Sequence, residues 1–279
     1  MIETQIKTPW GRLYVSPTSG ICFPNAKHAT GVLGSGALAG WAANAERKHI
    51  VDTACALFDL VVRKGFPTTP PFRDQLEAAA GKLAMGAARQ ESMDIGEQAN
   101  AHILWQMKTT AKMDAGNEPK IEGPATLASM AFSDWAKKER FILHRVDNVF
   151  YDEDIGYRAD LYALGTLKGK LVAVELQIGK SIYDDKLIRF AAAVKVARHE
   201  NPDIKEGIVI RVPKTLEDID KGGSFEVKHL FGNELEQYFT CFTHLLHYWQ
   251  SIKGYSRCTV EEVKDLNAAA KLEKIAAVG

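Results

Sequence analysis

Asp160 and Glu175 lie on two short β-prone runs, Arg158 to Leu164 and Leu171 to Leu176, which the compact turn Gly165 to Gly169 joins. The spacing predicts a hairpin that sets the two acids on neighbouring strands. With the backbone carbonyl of Leu176 as a third donor, they would form an oxygen-rich cup suited to a hard cation such as Mg²⁺, which takes few carboxylates and keeps several waters. A cation so held polarises a phosphodiester and generates hydroxide. Four apolar residues, Leu171 to Val174, run into Glu175. That strand is therefore largely buried, and a carboxylate at its end is costly without a partner.

The elements that must position these residues follow from the flanking pattern. Phe141 to Leu143, Asn148 to Tyr151, the two acid-bearing runs and Gly207 to Val212 are rich in β-branched and aromatic residues and read as strands. Between them, Asp184 to His199 places Leu187, Phe190, Ala191 and Val194 on one helical face. The order predicts an α/β protein with a mixed sheet and a helix packed across it. Upstream, Met1 to Phe23 reads as loops with one small hairpin, and Ala37 to Arg63 carries apolar residues at helical spacing. A second helical stretch begins near Arg73 and runs Ala-rich through Met113, so the first half is mainly helical. The polar, Gly- and Pro-punctuated segment Asp114 to Pro124 is the best boundary. It separates a helical part, 1–124, from an α/β core, 125–279, that ends in an aromatic helix, Leu235 to Ser251, and a polar tail helix. The two parts are expected to form one compact unit.

Composition narrows the function classes. Lys plus Arg equals Asp plus Glu, 35 against 35, so no global basic field announces a nucleic-acid binder, and any DNA contact must come from a local groove. Cys22, Cys55, Cys241 and Cys258 form no C-x-x-C pair; reduced, mostly buried thiols are the expectation, with an iron-sulfur cluster disfavoured. No basic leader followed by an apolar run opens the chain, and no uncharged stretch approaches the roughly 20 residues of a membrane span. A cytoplasmic protein without membrane contact is expected.

The run Asp160, hairpin, Glu175-Leu176-Gln177-Ile178-Gly179-Lys180, helix resembles the PD-(D/E)XK nuclease superfamily, in particular its RecB-like and phage-type exonucleases. Pro24 to Leu33, with Leu38 and Trp41 behind, is similar to the entry segment of the phage enzymes. The resemblance implies a restriction-endonuclease-like mixed sheet flanked by helices. It implies a hydrolase that cuts DNA with Mg²⁺ or Mn²⁺ in phage replication or recombination, in the host cytoplasm if phage-encoded. It makes Asp160, Glu175 and the Leu176 carbonyl the metal ligands, with Gln177 orienting the attacking water.

Four positions depart from the family pattern. Gln177 stands where the family has Lys, and Asn100, in Gly96-Glu97-Gln98-Ala99-Asn100, stands where a metal-binding His is usual. In Lys186-Leu187-Ile188-Arg189-Phe190 a Lys stands in the place of the family's Gln and Phe190 in that of its Tyr. Gln177 and Lys186 thus read as an exchange, with Lys186 supplying the cation that stabilises phosphorane charge. Asn100, Lys180 and Phe190 are accessory candidates. Two other readings stay open: a nuclease-fold DNA-binding or assembly protein that has lost catalysis, and an adaptor that binds protein through the aromatic C-terminal helix, Asp160 and Glu175 being surface charges.

Overall fold

A computed structural model describes residues 4–33, 83–179, 181–213 and 225–276. The chain divides into two units, one made of residues 1–33 and 99–279 and the other of residues 34–98. The predicted helices between Ala37 and Arg73, and Lys180, lie outside the described residues. Of the second unit, the described part is the beginning of α2 (Leu83–Thr110).

The first unit holds two sheets. β1 (Gln5–Thr8), β2 (Gly11–Val15) and β3 (Ile21–Pro24) form an antiparallel meander whose fourth strand is the two-residue β9 (Cys258–Thr259). The expected N-terminal hairpin is thus present and is extended by two further strands. After β3 comes the one-turn helix α1 (Ala26–Thr30). Its cap is reciprocal: the Asn25 side chain accepts from the Lys27 amide at 2.9 Å, and the Asn25 amide donates to His28 Nδ1 at 3.1 Å.

The larger sheet has the order β4-β5-β6-β7-β8. β4 (Ile142–Asp152), β5 (Tyr157–Leu167) and β6 (Lys170–Ile178) are antiparallel neighbours, β7 (Glu206–Val212) runs parallel to β6, and β8 (Glu226–Phe231) closes the far edge. The mixed sheet follows the sequence reading with two corrections. Phe141–Leu143 and Asn148–Tyr151, read as separate runs, belong to one region of strand: β4 is continuous from Ile142, with a bulge between Leu143 and Arg145 and Asp147 at φ 50°. It is an edge strand, where charged residues are tolerated because one side meets water. The turn between the acid-bearing strands is Lys168-Gly169, not Gly165 to Gly169. Both turn residues have positive φ, 51° and 80°, as a tight two-residue hairpin requires.

α3 (Pro124–Glu139) precedes β4 with Pro at its first position, and α4 (Asp184–Glu200) makes the crossover from β6 to β7. α5 (Gly232–Lys253) and α6 (Val260–Ala276) follow the sheet. The core lies where α4 packs on β5, β6 and β7 under α5, with Leu161, Leu164, Leu187, Phe190, Val194, Val209 and Phe242 buried together. Tyr157 is wholly buried there; its hydroxyl donates to the Ala192 carbonyl at 3.0 Å and its ring meets Phe242 edge-on at 4.7 Å. No helix among the described residues is long and apolar enough to cross a membrane.

Candidate active site

The two candidate acids lie where the β5–β6 ladder has opened. Pairing between these strands starts at the hairpin turn and stops at Ala163 opposite Val174. Beyond that point β5 keeps its partner β4, with Asp160 opposite Val149, and β6 keeps β7, with Glu175 opposite Val209. Asn25 takes the place β6 has left, forming an isolated parallel bridge with Arg158. The end of β3 and the start of α1 thus enter the fork between the acid-bearing strands.

Asp160 is held from two sides. Arg158 Nη1 lies 2.6 Å from Asp160 Oδ1, and Asn25 Nδ2 donates to Oδ2 at 2.8 Å. The guanidinium is buried and also covers the Tyr14 ring at 4.2 Å, whereas 41% of the Asp160 side chain meets solvent. The charge of Arg158 is therefore neutralised locally by an acid that still faces water.

Glu175 occupies a different environment. Its side chain is 13% exposed, and Oε1 accepts from Arg189 Nη2 of α4 at 3.1 Å. Burial pushes its carboxyl above the ordinary range; Arg189, Lys186 and Lys27 pull it back down. One carboxylate thus feels three cations, two from α4 and one from α1. Lys186 is itself depressed, first by burial and then by Arg189 and Lys27, with Asp185 and Glu175 opposing.

Two polar groups nearby lack a protein partner among the described residues. Gln177, two residues beyond Glu175, is 8% exposed, and its Nε2 makes no hydrogen bond. The Tyr162 hydroxyl, which feels the charges of Asp147 and Glu175, is also buried without a partner, and burial raises it well above its ordinary range. A buried donor without an acceptor costs about 1 to 3 kcal/mol. Such a group is satisfied by water or by a ligand oxygen. Opposite Gln177 on β7, Arg211 is already engaged, binding Glu226 at 3.2 Å and the Gly179 carbonyl at 3.3 Å.

The predicted residues are therefore distributed unequally. Glu175, Lys186 and Arg189 converge, with Lys27 close enough to act on the first two. Asp160 joins them through Asn25, whose side chain binds both Asp160 and the Lys27 amide. Asn100 is half-buried on α2 and makes no hydrogen bond to Asp160 or Glu175 among the described residues. Phe190 is 1% exposed and packs in the core beneath Gly207, where an added Cβ would come within 2.6 Å of its ring.

Sequence reading missed Asn25, Lys27, Arg158, Tyr162 and Arg189. The Asn25–Asp160 contact spans 135 residues and leaves no local trace. For Arg189 a signal existed: it falls one turn after Lys186 on the helix that follows a buried acid.

The donor set is chemically suited to a hard cation: two carboxylates and the carbonyl of Leu176 offer only oxygen. Each carboxylate has more acceptor sites than its protein partners use. No group of three or more His, Cys, Asp or Glu residues converges among the described residues. A cation here would rest on few protein ligands and keep most of its water, as Mg²⁺ does.

No family model matches the chain, and no curated protein does. Among solved structures, a candidate exonuclease from Eubacterium rectale aligns with a TM-score of 0.40 at 12% identity, covering 63% of this chain and 73% of that one. A likeness so loose does not bear on function.

Proposed function

We propose that the protein is a metal-dependent deoxyribonuclease, of the exonuclease type its sequence resembles, whose site is the fork between β5 and β6. The observation that carries this reading is the surplus of donors around Glu175: three cations act on one buried carboxylate, and Gln177 Nε2 is buried with no acceptor among the described residues. A phosphodiester supplies what such a site lacks, a negative charge and several acceptor oxygens.

In this reading Asp160, Glu175 and the Leu176 carbonyl hold Mg²⁺ or Mn²⁺, which would supply Lewis acidity and a water of lowered pKa. The chain's own groups do the rest. Arg189 favours the ionised form of Glu175 against burial by its charge and hydrogen bond, and fixes the carboxylate orientation. Lys186, half-buried on α4, and Lys27, exposed on α1, face the charge that grows on the phosphorus oxygens, and partial burial strengthens the field of Lys186. Gln177 Nε2 donates to the oxygen of the attacking water or of the phosphate. Asn25 fixes Asp160 and, through α1, sets the position of Lys27.

One observation favours a second reading, a DNA-binding protein without turnover: both oxygens of Asp160 already have protein partners. Incubating end-labelled single- and double-stranded DNA with Mg²⁺, Mn²⁺ or EDTA separates the two. Cleavage that EDTA abolishes supports the nuclease. Binding retained in EDTA, with no cleavage at any metal concentration, supports the second reading.

A further inference from the structure

Cys22 on β3 and Cys258 on β9 face each other directly in the antiparallel register of the smaller sheet. Opposed residues of such a pair have Cα atoms about 4.5 to 5.5 Å apart, inside the range of about 4.4 to 6.8 Å that a disulfide spans. The two side chains lie in one buried cluster with Leu13, Trp249 and Val263. Both are free and buried, at 0% and 5% exposure, whereas Cys241 is exposed. We propose that Cys22 and Cys258 are a redox-active pair that closes to a disulfide, stapling the C-terminal β9 to the strand that leads into Asn25.

The reaction needs a low-molecular-weight disulfide as oxidant, such as oxidised glutathione. The Cys258 thiolate, on the shorter and more exposed strand, attacks one sulfur of that disulfide; its S–S bond breaks and one thiolate leaves. Cys22 then attacks Sγ of Cys258 and expels the second thiolate. The two cysteines lose two electrons and two protons, and the small disulfide becomes two thiols. Burial sets the pace. It raises the Cys22 thiol and pushes Cys258 up to about 11, so little thiolate exists at neutral pH and exchange waits for the two-residue β9 to open.

The staple joins two distant parts of the chain at a place the fold already holds. Tyr255 donates its hydroxyl to the Cys22 carbonyl at 2.7 Å, and Asn267 of α6 donates to the Lys7 carbonyl at 2.9 Å. A bond that closes so long a loop removes much freedom from the unfolded chain. Three residues beyond Cys22, Asn25 binds Asp160, so the staple also anchors the strand that feeds the fork.

The test is treatment of the full chain with excess oxidised glutathione, followed by peptide mass mapping and thermal unfolding with and without dithiothreitol. The expected result is a Cys22–Cys258 linked peptide, formed faster at pH 9 than at pH 7. With it should come a rise in Tm of about 5 to 10 °C that dithiothreitol reverses. A Cys55→Ser/Cys241→Ser variant should show the same shift, and Cys258→Ala should not. Should either variant fail to fold, the map of the native chain decides. Full modification of Cys241 with Cys22 and Cys258 still reduced overturns the proposal, as does a linkage that leaves Tm unchanged or lower. None of these readouts depends on nuclease activity.

Discussion

Glu175 meets two demands that conflict. Burial opposes its charge, and the three cations around it require that charge. Replacing it by Gln keeps an oxygen that can accept from Arg189 but removes the countercharge of that guanidinium, which is 17% exposed. Breaking a buried ion pair from one side is costly, because the remaining charge stays desolvated. Glu175→Gln should therefore lower stability by about 2 to 3 kcal/mol in urea unfolding, somewhat under the cost of a fully buried pair because both groups keep some water contact. The double variant Glu175→Gln/Arg189→Met should recover at least half of that loss, since the cation that Glu175 binds directly is removed with it. If the double variant is as unstable as the sum of the single ones, the pair is not coupled as described. Loss of activity in Glu175→Gln alone is thus weak proof of a catalytic role, and the double variant is the better control. The strands that carry Asp160 and Glu175 and the helix that carries Lys186 were legible because they lie on runs with clear periodicity, whereas Gln177 and Lys186 were singled out only through the family resemblance. The Asp160 partners Asn25 and Arg158 were not legible, because an ion pair or amide contact across a fork has no spacing rule.

At the level of elements, α1 is the sensitive piece. It has five residues, and its cap requires an unprotonated His28 Nδ1 to accept from the Asn25 amide. Burial first, and then Lys27, hold the His28 imidazole below its ordinary 6.5. The folded state therefore binds fewer protons at this site than the unfolded chain. The stability this group contributes is complete above the unfolded value and is lost as pH falls through the lower folded value. Tm should fall below about pH 6.5 more steeply in the native protein than in His28→Gln; equal slopes would remove His28 from the cap's pH response.

Close packing fixes the sheet at two glycines. A Cβ at Gly165 would lie 2.6 Å from the Ile142 carbonyl oxygen and 2.4 Å from the Phe141 ring. Because the carbonyl is backbone and cannot rotate away, Gly165→Ala should cost about 2 to 3 kcal/mol, and Gly207→Ala, which meets only the Phe190 and Leu235 side chains, less. Urea midpoints at unchanged m-value would measure both, and a reversed order would contradict the packing. The strands β5, β6 and β7 and the helix α4 were readable as apolar or β-branched runs. The edge strands were harder. β4 appeared as two runs because charged residues of its exposed side interrupt the pattern, and β8 mixes Glu226, Lys228 and His229 with apolar neighbours.

On the scale of the whole molecule, the balance of 35 basic and 35 acidic residues excludes a global field, so in the proposed reading DNA affinity comes from the few cations of the fork. Lys27, Lys186 and Arg189 allow two or three phosphate contacts, and the slope of log K against log salt for duplex DNA should be about −2 to −3. A slope near −6 would place the main contact surface elsewhere. The smaller sheet shows what a linear reading misses at this scale. β3 and β9 come from opposite ends of the sequence, and β9 has only two residues, too few to carry a pattern. The element that places Asn25 beside Asp160 is thus built in part by residues more than two hundred positions away.

The central claim is that the fork between β5 and β6 cleaves DNA with a cation held by Asp160 and Glu175. Its most direct test is cleavage of end-labelled DNA in Mn²⁺ by the native protein, Asp160→Asn and Glu175→Gln/Arg189→Met, each first shown to be folded by its thermal transition. The expected result is metal-dependent cutting by the native protein that falls at least 100-fold in both variants while Asp160→Asn still binds DNA. Cutting at native rates in either folded variant, or none by the native protein with either metal, would contradict it.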